Sequence, residues 1–76
     1  GASNLLGFKD LEFLSHRIEH VLDMIRTGML APSPRVHAAL LAGLDTIGAF
    51  LDNPEQGAPA NLREVMLALS RVAVTG

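Results

Sequence analysis

The sequence predicts an all-α protein: an antiparallel bundle of three helices, preceded by a short helical stub. Hydrophobic residues make up 49% of the 76 residues, with three Phe and neither Tyr nor Trp. Apolar residues recur at spacings of three and four, as on one face of a helix. Most Gly and Pro residues fall at the ends of these periodic segments and mark the turns, and only Gly43 and Gly48 fall well inside one. A chain of this length forms at most one small domain, so residues 1–76 are expected to be one unit.

The stub is predicted over about residues 2–6, where small residues lead into Leu5 and Leu6. Gly7 follows and is expected to end it, because Gly suits the end of a helix. The first full helix is predicted over residues 10–27, with Asp10 as its cap and Gly28 as its stop. Its inward positions are Leu11, Leu14, Ile18, Val21, Leu22 and Ile25.

The second helix is predicted over residues 34–52, because Ser33 can cap it and Pro34 suits the first helical position. Its apolar stripe is Val36, Leu40, Leu44, Ile47 and Leu51, with Leu41 and Phe50 beside it. The third helix is predicted over residues 59–74, after a loop rich in turn-forming residues. Its inward positions are Leu62, Val65, Met66, Leu69 and Val72.

Composition excludes several classes of function. The net charge is −2, and the six Lys and Arg residues form no cluster, so neither nucleic acid nor an anionic membrane is an expected partner. There is no cysteine, which excludes disulfides and thiolate metal sites. No apolar run has the length of a membrane span. We therefore expect a cytoplasmic protein with neither a cofactor nor a bound metal.

Residues 1–23 resemble part of a known signalling motif. Gly1-Ala2-Ser3 is followed by Gly7-Phe8, and then by His16-x-x-Glu19-His20-Val21-Leu22-Asp23. This pattern resembles the histidine phosphotransfer domain of CheA-like chemotaxis kinases. In that family a helix carries His-x-x-Lys-Gly-small-small, a Gly-Phe break follows, and the next helix carries His-x-x-Glu. The acceptor His and its companion Lys would lie immediately before Gly1, so the chain resembles such a domain truncated at its N-terminus.

The resemblance implies roles for two side chains. Glu19 would hydrogen-bond the imidazole of the acceptor His, and His16 would share that network. A carboxylate that accepts one ring N–H fixes the tautomer and makes the other ring nitrogen more nucleophilic. Gly1, Ala2 and Ser3 would leave room for the active site of a partner, while Gly7 and Phe8 would mark the break between helices.

The resemblance also implies partners. In the intact protein of this two-component phosphorelay, a kinase catalytic domain phosphorylates the His, and the receiver domain of a response regulator takes the phosphoryl group. The parent would be a protein-histidine kinase, a transferase. The present chain would not itself be catalytic, because none of its His residues occupies the acceptor position.

Two other interpretations stay open. The chain could be a small helical module for interaction or dimerisation whose likeness to the signalling domain is accidental. Alternatively, His16-x-x-Glu19-His20 has the spacing of a metal-binding helix, with two His at i and i+4. That site would need a third protein ligand, for which Glu64 is a distant candidate.

A homodimer is expected from the bundle size. The phosphotransfer fold that the chain resembles has four helices in its core, so three apolar stripes should not all find partners within one chain. Open apolar surface favours association, and a two-fold dimer is the commonest solution. The predicted interface contains Leu5, Leu6 and part of the Leu11–Ile25 stripe.

Overall fold

The computed structural model describes the backbone of residues 2–75 and the side chains of residues 8–75. It contains three α-helices, α1 (Ala2–Arg26), α2 (Pro34–Asp52) and α3 (Leu62–Thr75), and a 3₁₀ turn over Pro54–Gln56. No strand is present within residues 2–75. The three helices all contact one another. The prediction of an all-α helical bundle is confirmed.

Helix α1 corrects the prediction of a separate stub. It runs without interruption from Ala2 through Gly7 to Arg26, so Asp10 lies inside the helix and does not cap it. A Gly within a helix costs only about 1 kcal/mol relative to Ala. In the next position the ring of Phe8 meets that of Phe50 edge to face, with centroids 5.6 Å apart. Such a contact contributes about 0.5–1.5 kcal/mol to the packing of α1 against α2.

The end of α1 agrees with the sequence prediction. Gly28 takes a positive φ of 82°, which an L side chain would adopt only with strain. Its N–H donates to the carbonyl of Ile25 at 3.1 Å, and the N–H of Met29 donates to the carbonyl of Met24 at 2.9 Å. These two bonds form a Schellman motif, which satisfies the last carbonyls of the helix. Leu30 then enters the core.

The start of α2 is as predicted, and the start of α3 is later than predicted. The Ser33 side chain accepts the N–H of Val36 at 3.2 Å, and Pro34 is the first residue of α2. At α3, the carbonyl of Pro59 accepts the N–H of Leu62 at 3.1 Å. This hydrogen bond joins residues three apart and closes a turn over residues 59–62. The regular helix therefore begins at Leu62 and not at Pro59.

The core lies between the three helices. The predicted inward positions at the centres of α1 and α3 are confirmed, because their side chains are buried in it. Its buried residues are Leu14, Ile18, Val21, Leu30, Val36, Ala39, Val65, Leu69 and Val72. The centre of the α1 stripe is therefore covered within the chain and is not available to a second copy. Leu14, Ile18 and Val21 are thereby removed from the predicted dimer interface, whereas the homodimer itself stays a prediction. The side chains of Leu5 and Leu6 lie outside the described residues.

Helix α2 corrects a second prediction, because its small residues face inward. The buried residues are Val36, Ala39, Gly43, Thr46 and Phe50. The predicted stripe residues Leu44 and Leu51 are 54% and 61% exposed, and Leu40 and Ile47 are only partly buried. The side chain of Ile18 fills the space above Gly43, with its Cδ1 2.9 Å from where a Cβ would stand. The small Gly43 thus lets α1 approach closely, and Leu44 and Leu51 turn outward, whereas Val36 and Phe50 are buried at the two ends of the inward side.

Candidate functional site

The polar stripe of α1 is the candidate site. Its members Glu12, His16, Glu19, His20 and Asp23 are all exposed. The buried Leu14, Ile18 and Val21 hold the other side of the same helix against α2 and α3. The helix is therefore fixed in rotation by its core side, and the stripe faces outward along its length.

His16 and Glu19, the two predicted site residues, lie close together on this stripe. They are one helical turn apart, the spacing at which side chains are neighbours. Among residues 8–75, neither side chain makes a hydrogen bond or an ion pair. The carboxylate and the imidazole are thus both available to a group that comes from outside these residues.

An ion pair holds the side chains at the C-terminal end of the stripe. The Asp23 carboxylate forms an ion pair with the Arg26 guanidinium, one turn later on α1. Both side chains are largely exposed, so the pair contributes at most about 1 kcal/mol. Together with Glu19 and Leu22 they line an open groove on the surface of the helix. Leu22 is 50% exposed and is the apolar residue that lines this otherwise charged groove.

Sequence reasoning missed a side-chain hydrogen bond between α1 and α3. The Arg17 guanidinium donates to the hydroxyl of Ser70 at 2.7 Å. Arg17 also lines a surface groove together with Arg63 and Asp10. Nothing in the local pattern of either helix indicates this pairing, because the partners are separated by most of the chain. This hydrogen bond holds the positively charged Arg17 guanidinium beside the polar stripe.

The structure does not place the residues of the phosphotransfer-like motif that precede the stripe close to it. Gly1 lies outside the described residues; Ala2, Ser3 and Gly7 are in α1, and their side chains are not described. Phe8 is 55% exposed and lies against Phe50. At about 1.5 Å per residue, Ser3 and Glu19 are roughly 24 Å apart along one helix. Without a break at Gly7 and Phe8, this structure keeps the motif residues and the stripe apart.

The metal-binding interpretation lacks a third ligand. Within the described part of the chain, no three His, Asp or Glu side chains come together as a metal site would require. Glu64 is on α3 and exposed. His16 and His20 therefore form at most a two-ligand pair on an open surface.

In comparisons with known proteins, no family model matches this chain, and neither a curated protein nor a solved structure matches it significantly. Over the residues that the structure describes, none of the helices combines the length and the apolar character needed to cross a bilayer.

Proposed function

We propose that this chain is part of a histidine phosphotransfer domain from a CheA-like chemotaxis kinase. The observation that carries the proposal is the pairing of sequence and exposure on α1. His16 and Glu19 match the family pattern, and both side chains are free among the described residues on an outward face. A relay site needs such a face, because two partner domains must reach it in turn.

The proposed chemistry belongs to an acceptor His upstream of Gly1. The Glu19 carboxylate accepts one of its ring N–H groups, which leaves the other ring nitrogen with its lone pair directed at the phosphoryl donor. His16, one turn away, orients the carboxylate. The protein acts as substrate and relay: a kinase domain places the phosphoryl group on the His, and the Asp of a receiver domain removes it.

The proposal makes a structural demand on Gly7 and Phe8. The acceptor His can reach Glu19 only if the chain folds back at this step, so that the upstream helix lies beside α1. Gly7 makes a break there cheap, because a Gly in a helix interior is already unfavourable relative to Ala. In the 76-residue chain the helix continues through Gly7, so the proposal requires that the upstream segment changes the local structure at this step.

The test is a longer protein that includes about 45 residues before Gly1. Incubation with a CheA-type kinase domain and ATP should phosphorylate a His upstream of Gly1, and a receiver domain should then remove the phosphoryl group. Spin labels at Asn4 and His20, which leave Ser3 and Glu19 intact, should report a distance below the roughly 24 Å of one straight helix. The absence of phosphorylation with an active kinase would refute the proposal, as would a straight helix in the phosphorylated protein.

A further inference from the structure

A groove runs along the surface between α2 and α3, here called the α2–α3 groove. Arg35, Ala38 and Ala42 line it on α2, and Ala68, Arg71 and Val72 line it on α3. Apart from the two arginines, its lining consists of Ala and Val side chains, and no residue of α1 takes part in it. A molecule can therefore enter this groove and leave the polar stripe of α1 uncovered.

The two helices that form the groove are antiparallel. The start of α2 and the end of α3 line the groove together through Arg35 and Arg71. Thr46, eleven residues after Arg35, instead shares a small cavity with Leu62, nine residues before Arg71. Later residues of α2 thus lie beside earlier residues of α3. The two arginines mark one end of the groove, and the region of Thr46 and Leu62 marks the other.

Acidic side chains lie at this other end. Asp45 follows Ala42 by three residues, and Glu64 precedes Ala68 by four, so each carboxylate lies on the helix face that lines the groove. All four charged side chains are exposed. Among residues 8–75, neither the two carboxylates nor the guanidiniums of Arg35 and Arg71 form a hydrogen bond or an ion pair. The face therefore carries unpaired charges, positive at one end and negative at the other.

We propose that the α2–α3 groove binds the same groove of a second copy of the chain, around a two-fold axis that runs across both helices at the middle of the groove. Rotation about this axis exchanges the two ends of the face. Arg35 then lies opposite Asp45 of the second copy, and Arg71 lies opposite Glu64 of the second copy. Each of these ion pairs occurs twice, because the symmetry repeats it.

One axis serves both helices. Arg35 and Asp45 are ten residues apart, about 15 Å along α2, and their midpoint is residue 40. Glu64 and Arg71 are seven residues apart, about 10 Å along α3, and their midpoint lies between residues 67 and 68. Residue 46 of α2 and residue 62 of α3, which share a cavity, are each about six residues from these midpoints. The two midpoints therefore lie at the same height in the bundle.

The charges exclude the other two-fold arrangement and favour a second copy over other partners. An axis parallel to the helices would leave both ends in place and would set α2 against α3 of the second copy. Arg35 would then lie opposite Arg71 of the second copy, and like charges at an interface are unfavourable. A uniformly acidic or basic partner would match one end of the groove and be repelled at the other. The face is complementary to itself in the proposed arrangement.

The small residues between the charged ends allow the required approach. The distance between packed helices depends on the side chains at their contact, and Ala38, Ala42 and Ala68 carry only methyl groups. Ala38 is exposed, and the other two are partly buried. Pairing of the two grooves removes these methyl groups from water and brings the charged side chains of the two copies within reach of one another.

Sedimentation equilibrium of the 76-residue protein, from about 1 to 200 µM, tests the association. The wild-type chain should dimerise. Arg35→Glu should weaken the dimer at least about tenfold, because it sets two carboxylates opposite each other. Arg63→Glu is the matched control, since it makes the same change in charge at an exposed residue of α3 that does not line the groove. It should leave the association unchanged, and circular dichroism of each variant confirms that the helices are retained.

A mixture of the Arg35→Glu and Asp45→Arg variants tests the pairing itself. Each variant alone sets like charges opposite each other and should dimerise weakly. A heterodimer of the two has opposite charges at both positions and should regain about the wild-type affinity. Arg71→Glu and Glu64→Arg form a second such combination with the same expected behaviour, which decides the matter if a variant of the first combination loses its helices.

A wild-type chain that stays monomeric over the whole range would overturn the proposal, and so would equal effects of Arg35→Glu and Arg63→Glu. Stronger dimerisation of Arg35→Glu alone would show that its carboxylate faces Arg71 of the second copy, and it would overturn the proposed axis. Because phosphorylation of the longer protein is measured separately and no residue of α1 lines the groove, the proposed relay function and the dimer can fail independently.

Discussion

The Cδ1 atom of Ile18 lies 2.9 Å from the position that a Cβ on residue 43 would occupy, and its Cγ1 lies 3.1 Å from that position. Glycine is therefore the only residue that lets α1 and α2 approach this closely without displacing a buried side chain. Ile18 is itself 6% exposed, and Leu69 lies 3.6 Å from the same position, so the isoleucine has little room to move.

Gly43→Ala should consequently destabilise the protein. Overpacking of a core costs about 1–3 kcal/mol, and the gain in helix propensity recovers at most about 1 kcal/mol. We expect a net loss of about 1 kcal/mol in the free energy of unfolding, measured by urea denaturation. Gly48→Ala is the control, since no atom lies within 4 Å of its Cβ position. It should stabilise by up to about 1 kcal/mol. Equal gains from both changes would show that the contact with Ile18 is not restrictive.

Ser33→Ala should lower the free energy of unfolding by about 1 kcal/mol, because it removes the acceptor for the N–H of Val36 at the start of α2. Ser70→Ala is a suitable comparison. It removes an exposed bond to Arg17, and surface changes of this kind usually stay within about 0.5 kcal/mol. A thermal or urea melt that ranks the two variants in the opposite order would contradict the assignment of Ser33 as a structural cap.

Glu19→Gln should slow phosphotransfer about tenfold in the longer protein, the order expected for the loss of an orienting hydrogen bond. Its effect on folding should be small, because Glu19 is exposed and forms no side-chain bond among residues 8–75. Glu55→Gln is the control, because Glu55 is exposed on the 3₁₀ turn and away from the stripe, and it should leave the rate unchanged. If both variants transfer at the wild-type rate, or if Glu19→Gln unfolds the domain, the proposed role of Glu19 is wrong.

Gly7→Ala distinguishes the two arrangements of the N-terminal segment. In the 76-residue chain it should increase helicity and add up to about 1 kcal/mol, because α1 is helical at this residue. In the longer protein it should instead impair phosphotransfer, since the same substitution favours the straight helix over the break. Circular dichroism of the short chain and rate measurements on the long one provide the two readouts. A faster transfer would refute the requirement for a break.

Sequence reasoning succeeded where local chemistry decides structure. Ser33 with Pro34 predicted the start of α2, and Gly28 predicted the end of α1, because capping depends on neighbours in the chain. Most inward residues of α1 and α3 followed from periodicity, because on these helices the apolar stripe largely coincides with the buried side. The prediction was wrong for Leu22, which lies at the edge of the stripe and is 50% exposed.

Sequence reasoning failed where packing between helices decides structure. On α2 the leucines were expected inside, but Leu44 and Leu51 are exposed, and Ile18 instead fills the space above the buried Gly43. Hydrophobicity cannot predict such a choice, because it depends on the distance between two helices. The predicted break at Gly7 was also wrong, because α1 is helical through this residue.

The candidate site was predicted only in part. The exposure of His16 and Glu19 follows from their places between the apolar positions of α1. The hydrogen bond from Arg17 to Ser70 could not be predicted, because it depends on the rotation of α3 relative to α1.

The turn at Gly28 has a consequence for how the protein folds. Only residues 27–33 separate α1 from α2, so Leu30 reaches the core with little loss of chain entropy. Helical proteins dominated by such local contacts have low contact order and fold in microseconds to milliseconds. The α1–α2 hairpin can thus close before α3 docks, and it would present its apolar sides during that interval. If this hairpin closes first, a non-glycine residue at position 28 should slow refolding more than it accelerates unfolding. The folding and unfolding rates measured against urea concentration provide the test.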